Sequence, residues 1–267
     1  MLVPGGPAGL GSVVTVLGRI ALRPHFAELG WASTRIGEIS LRRRLEPTTQ
    51  TEVYEVKLDD EYLMSSLFTV AEEELARLAL AVLPDGPCDV VVGGLGLGYT
   101  AHAVLADPRV RSLTVVEALE PVIDWHRGDL IPGGRALTAD SRATMLHGDF
   151  FALVRDGAGF DPADPGRCFD AILVDIDHSP VNVLDASHAD LYTPAGLERL
   201  AGRLRPGGVF GLWSDDAPEE EFLAVLRQCF GTVAAHVVSF ANPLTGGRSA
   251  NTVYVAVGSR SRCSLQQ

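Results

Sequence analysis

The run Val90-Val91-Val92-Gly93-Gly94-Leu95-Gly96-Leu97-Gly98 constrains this chain more than any other segment. Three consecutive valines favour a buried strand, and the glycines after them can adopt turn conformations closed to other residues. Such a turn lets a ligand approach the backbone and aims the N-terminus of the next helix at it. Open α/β sheets bind ligands at the carboxyl ends of their strands, where this turn would sit. Gly94, Gly96 and Gly98 are spaced GxGxG, whereas the dinucleotide fingerprint is GxGxxG, so a nicotinamide dinucleotide fits poorly.

The segments around the turn set the fold class. Apolar strands expected at 89–92, 112–117, 143–147, 169–175 and 209–213 alternate with helical patterns at 100–106, 121–130, 193–204 and 218–230. That alternation implies an α/β fold with a doubly wound, mostly parallel sheet covered on both faces. Two last strands, 236–240 and 252–257, flank a Gly-rich loop and should form an antiparallel edge hairpin. Upstream, 36–41 and 53–58 alternate as two antiparallel strands joined through Glu46-Pro47-Thr48, with a third strand at 61–64. Thr69 is expected to cap a helix whose first turn carries Glu72, Glu73 and Glu74, where the helix dipole favours acids. The expected organisation is a poorly ordered lead-in at 1–27, a small β-unit at 28–68, a ligand-binding domain at 69–258 and a tail at 259–267. Arg42-Arg43-Arg44 reads as a solvated strand end, Trp31, Trp125 and Trp213 as packing residues, and His102 and His126 as helix-surface residues.

Composition narrows the partners. The 267 residues carry a formal net charge of −12, which repels phosphate backbones and argues against nucleic acid. It suits a small, cationic partner. The four cysteines are scattered without a CxxC pair, the pattern of reduced thiols in a cytoplasmic protein. The apolar run before residue 23 is interrupted by Gly and Arg and reads as neither signal peptide nor membrane span.

Three strand ends in succession offer groups suited to an adenosine-type ligand. Gly93, Gly94, Gly96 and Gly98 supply the turn. Glu117, with Ala118 beside it, can accept from both ribose hydroxyls, and Asp149 can accept from an adenine amino group with Phe150 next to the ring. The fourth strand ends in Asp175-Ile176-Asp177-His178-Ser179-Pro180, where a transferred group would lie. Alkyl transfer from a sulfonium needs an aligned acceptor and a base for its proton. Asp175, Asp177 and His178 are the candidates, and Asp175 also borders the ligand. No metal is expected; the alternative is a divalent cation held by Asp215 and Asp216 with a fourth-strand acid, against which both acids can instead cap the helix near Pro218.

On these motifs, from Ile36 to Val257, the chain resembles the spermidine synthase family, the polyamine aminopropyltransferases built on the class I methyltransferase fold. The resemblance includes Leu204-Arg205-Pro206-Gly207-Gly208-Val209 and implies a seven-stranded, Rossmann-like sheet with an N-terminal β-unit through which relatives often dimerise. It implies S-adenosylmethionine, or its decarboxylated form, as the ligand. The family carries an Asp inside the glycine turn that meets the donor amine; here Leu95 or Leu97 stands there. It also carries a Tyr-His pair where this chain has Val70-Ala71-Glu72-Glu73, and a fourth-strand loop whose second Asp is the base. The missing amine anchor favours methyl transfer to a small acceptor. The alternatives are aminopropyl transfer yielding a polyamine, and a non-catalytic homologue that binds the nucleoside.

Overall fold

The computed structural model describes residues 26–258. Most of the expected lead-in, the 259–267 tail and Cys263 lie outside them. The first sheet is an antiparallel meander in the order β1-β2-β3-β4, with β1 Phe26–Thr34, β2 Gly37–Glu46, β3 Thr51–Leu58 and β4 Glu61–Ser65. The strand β1 lacks a clean apolar alternation, with Trp31 55% exposed, and sequence patterning alone did not mark it. Strand β1 has a register shift against β2 between Glu28 and Gly30 and approaches Trp125 of the larger domain. At Gly30 a Cβ would lie 2.4 Å from the indole nitrogen of Trp125, so only glycine permits that approach. Of the arginine triplet, Arg44 is paired with Glu46 and Glu55 and is not a free surface cation.

After α1 (Val70–Ala81) the chain alternates strand and helix: β5 Cys88–Gly93, α2 Tyr99–Ala106, β6 Val110–Glu117, α3 Glu120–Arg127, α4 Gly134–Ala139, β7 Ala143–His147, α5 Phe150–Arg155 and β8 Phe169–Val174. A 3₁₀ helix at Ala186–Tyr192 precedes α6 Pro194–Ala201, β9 Leu204–Ser214, α7 Glu220–Cys229, β10 Thr232–Asn242 and β11 Gly247–Val257. These build a seven-stranded sheet in the order β10-β11-β9-β8-β5-β6-β7. Five strands are parallel, and β11 runs antiparallel between β9 and the edge strand β10.

Strand period explains the two-sided core. Val90 and Val92 join one apolar layer while Val91 joins the other. Ala171 and Leu173 likewise oppose Ile172 and Val174, and Val253 and Val255 oppose Tyr254 and Ala256. Each such fully buried Val, Leu or Ile contributes roughly 2 kcal/mol by leaving water. The order in which strands are added reverses beside β5, opening a crevice where the chain crosses to β8, and the glycine turn sits at its mouth.

Candidate active site

The turn after β5 is fixed by its own amides and by the second strand. Gly94, Gly96 and Gly98 all have positive φ, at 93°, 48° and 90°. Close approach reinforces the requirement: a Cβ on Gly94 would lie 2.1 Å from the Asp175 carbonyl oxygen, and one on Gly96 2.5 Å from the Met64 sulfur. The Gly94 amide donates to the Val116 carbonyl at 2.9 Å, the Leu95 amide to Glu117 Oε2 at 3.0 Å, and the Gly98 amide to the Leu95 carbonyl at 2.7 Å. Glu117 is buried, and its other oxygen accepts from the Leu119 amide at 2.8 Å. Burial pushes its carboxyl up, opposed by these amide hydrogen bonds.

Of the two residues read as surface histidines, His126 proves to be packed inside and His102 half-buried. His126 is fully buried and its Nε2 lies 2.8 Å from the Gly96 carbonyl oxygen, bracing the turn from behind. Burial lowers the pKa of both His126 and His102, so the neutral ring donates to that carbonyl. The helix-surface reading fails for His126 because Gly134 of α4 packs against it, where a Cβ would lie 2.8 Å from the ring Nδ1.

A cavity of about 510 Å³ opens beside the turn. The turn contributes Leu95, Gly96, Leu97 and Gly98; β4 contributes Tyr62 and Met64, the loop after it Phe68, and the first turn of α1 Glu72. The strand tips add Asp175, Ile176, His178, Trp213 and Asp215, and the β10–β11 hairpin adds Phe240 and Asn251. The Gly-rich final hairpin therefore does border the site. Among the described residues its lining includes three carboxylates, from Glu72, Asp175 and Asp215, and no Lys or Arg. Asp175 accepts from the Thr100 hydroxyl at 2.6 Å, and burial raises its pKa to about 6. Glu72 is raised to about 8, first by burial and then by the charge of Asp175.

Asp177, expected as a base, is not on the cavity wall. Its buried carboxylate accepts from the Leu184 amide, His188 Nδ1 and the Tyr192 hydroxyl, each at 2.8 Å. With three donors it fastens the segment leading to the 3₁₀ helix, and the His188 ring stacks on Phe151 at 3.7 Å between centroids. Asp149 accepts from the Ala152 amide at 3.1 Å as the N-cap of α5. The Phe150 ring is 2% exposed and stacked on Phe160, so it cannot lie beside a ligand ring as expected. Ala118 is exposed at the turn after β6. Asp215 and Asp216 neither cap α7, whose N-cap is Glu219, nor share a site. Asp215 accepts from the Asn251 amide nitrogen at 2.5 Å, its own amide donates to the His178 carbonyl at 2.7 Å, and Asp216 lies outside the cavity. Among the described residues no group of three or more His, Cys, Asp or Glu side chains could hold a metal ion. Sequence reasoning missed Glu72 as a site residue, since an acid in a first helical turn has a sufficient local explanation.

Comparison with known proteins fits this geometry. The chain is 30% identical over 159 residues to polyamine aminopropyltransferase 2 of Pseudomonas aeruginosa, an overlap of 57% of this chain and 42% of that one. The chain has homologues among the polyamine aminopropyltransferases. It is also 29% identical over 163 residues to putrescine N-methyltransferase 3 of Nicotiana tabacum, covering 59% of this chain and 39% of that one. It thus spans about two-fifths of the length of these curated relatives. Among solved structures, spermidine synthase from Thermotoga maritima superposes with a TM-score of 0.65 at 18% identity, covering 88% of this chain and 74% of that one. A spermidine synthase in complex with the transition-state analogue AdoDATO gives 0.66 at 19% identity, with the same coverages. These likenesses establish the Rossmann-like, methyltransferase-type fold with its N-terminal antiparallel sheet. No family model matches. Among the described residues no helix is long and apolar enough to cross a membrane.

Proposed function

We propose that this chain transfers an alkyl group from an S-adenosylmethionine-type sulfonium nucleoside to an amine of a small cationic acceptor. The observation that carries this reading is the cavity beside the glycine turn, lined by three carboxylates and, among the described residues, by no Lys or Arg. Cationic ligands relieve the mutual repulsion of such acids, whereas anions meet it. The curated relatives bear polyamine and putrescine in their names, which agrees with an amine acceptor.

The donor brings an electrophilic carbon on a positively charged sulfur; the acceptor nitrogen bonds to that carbon as the carbon–sulfur bond breaks and its electron pair passes to sulfur. Gly94, Gly96 and Gly98 admit the nucleoside to the backbone, Glu117 receives the ribose hydroxyls, and Asp149 with the backbone at Phe150 and Ala118 borders the base. A nitrogen nucleophile must shed a proton, and the wall offers His178 and Asp175. We assign the base to His178, because Asp175 is already engaged by Thr100. The metal alternative on Asp215 and Asp216 is not part of this reading.

Two transfers fit the frame. Leu95 and Leu97 leave the turn without an acid, which favours methyl transfer; the carboxylates of Glu72 and Asp175 favour aminopropyl transfer, whose donor carries an ammonium and no carboxylate. Purified protein incubated with putrescine and each donor in turn, with products read by mass spectrometry, separates the two. Formation of N-methylputrescine or of spermidine supports the transferase and names its group. If the nucleoside binds and neither product forms with putrescine or other diamines, the chain is a binding homologue and the transferase reading fails.

A further inference from the structure

His126 acts on the glycine turn without joining the cavity wall. It comes from the last turn of α3, its ring is fully buried, and its Nε2 lies 2.8 Å from the Gly96 carbonyl oxygen. Gly96 itself is on the wall, between Leu95 and Leu97, and has a φ of 48°. With no Cβ to restrict it, a glycine peptide turns over easily. The imidazole donor therefore fixes a carbonyl direction that the backbone alone leaves open.

The rest of the ring's surroundings suit only its neutral form. Nδ1 has no hydrogen-bond partner among the described residues, and α4 brings Gly134 so near that a Cβ there would lie 2.8 Å from it. In the neutral ring this nitrogen is bare while Nε2–H donates to the carbonyl. A second proton would have to sit on Nδ1, where it meets no acceptor, and would place a charge in the interior. His102 of α2 stands across Gly98 from His126: a Cβ on that glycine would lie 2.9 Å from His126 Cε1 and 3.5 Å from His102 Cδ2. The Nε2 of His102 is likewise buried without a partner, and a charge on either ring opposes one on the other. On the other side of the turn the titratable group is Glu117, which accepts from the Leu95 amide. On α3 itself Asp124 and Arg127 pair with each other at the surface.

Resting on the reading that a sulfonium nucleoside lies against this turn, we propose that His126 is a positioning residue for it: the neutral ring holds the Gly96 carbonyl in the orientation the nucleoside meets, and a protonated ring leaves its slot and frees the turn. Nucleoside affinity then follows the protonation of a side chain that never touches the ligand.

The test is calorimetric titration of the full chain, of His126→Gln and of His126→Ala with 5′-methylthioadenosine at pH 7.5 and pH 5.5. This probe has neither ammonium nor carboxylate, so the charge of the cavity acids has little hold on it. Wild-type affinity should fall by about tenfold at the acid end, roughly one unit below the ordinary imidazole value of 6.5. His126→Gln keeps an N–H donor without a titrating ring; it should match the wild type at pH 7.5 and hold that affinity at pH 5.5. His126→Ala, with no donor, should bind about tenfold more weakly at both values. A Gln variant that keeps the wild-type pH dependence would assign it to another group, Glu117 first, and overturn the proposal, as would wild-type affinity in His126→Ala. Imidazole nitrogen-15 spectra of the wild type decide the matter even where a variant does not fold. The His126 Nε2–H tautomer should disappear over the pH range in which affinity falls, and a tautomer that persists while affinity falls removes His126 from the role. Failure of the wild type to bind either 5′-methylthioadenosine or S-adenosylmethionine at pH 7.5 would instead overturn the nucleoside reading itself.

Discussion

At the scale of single residues, Glu117 and Glu72 show how one side-chain type serves opposite ends of a site. Glu117 is held by the Leu95 and Leu119 amides and so organises the turn before any ligand arrives. Glu117→Ala leaves two amides without their acceptor and should cost about 2 kcal/mol in denaturant unfolding. It should also weaken binding of the nucleoside at least tenfold in the same titrations; unaltered affinity would remove Glu117 from the ribose assignment. Glu72 has the reverse relation to stability. Its folded pKa of about 8 lies above the ordinary 4.5, so the native state binds more protons than the unfolded one between those values. Stability conferred by the protonated form is therefore lost as pH rises through that window. Thermal unfolding of the ligand-free protein should show Tm falling from pH 5 to pH 8. Glu72→Gln should flatten that fall, and an unchanged slope would place the proton elsewhere.

At the scale of elements, the segment between β8 and α6 is organised by one buried carboxylate. Asp177 gathers the Leu184 amide, His188 and Tyr192, and thereby sets the path of the chain on either side of His178. Removing it strands a buried hydroxyl, an amide and an imidazole donor together. Asp177→Ala should cost about 3 kcal/mol and speed hydrogen exchange at 184–192 more than in the sheet. A fully folded variant with native exchange and lost turnover would instead return Asp177 to the role of base. The turn after β5 depends on α3 in the same fashion, since the His126 ring holds the Gly96 carbonyl.

At the scale of the whole molecule, the sheet has a polar floor opposite the site. Asp89 is 1% exposed and is bridged by Arg111 and by Arg205, with Ser112 donating at 2.8 Å. Burial opposes its ionisation, but the hydrogen bonds from Arg111, Arg205 and Ser112 win and hold the carboxyl well below the usual range. Because this pKa is depressed, the stability it confers is full above the ordinary value of 3.8 and is lost as pH falls below it. Asp89→Asn should cost about 3 kcal/mol at pH 7, and the cost should shrink on acidification below pH 4, read from urea unfolding at each pH. A pH-independent difference would mean that packing rather than charge is lost.

The sequence by itself determined the parallel sheet, because Val90 to Val92 and Ile172 to Val174 leave no polar face, and the strand period then forces two apolar layers. It also picked out the GxGxG turn and the strand-end acid Glu117, read there as a ribose acceptor, whereas the hydrogen bond from the Leu95 amide that makes Glu117 the partner of the turn came from the structure. Strand β1 stayed hidden because its outward face is apolar at Phe26 and Trp31, which erases the alternation. Only the tertiary structure decided which acids line the cavity. Asp177 and Asp175 are two residues apart, yet one is consumed by a loop and the other opens on the cavity. Glu72 is remote in sequence from both and meets Asp175 through the packing of α1 against the sheet. Local spacing fixes which face of an element a side chain occupies; what lies across that face depends on contacts between elements distant in the chain, and those set burial, hydrogen bonding and charge.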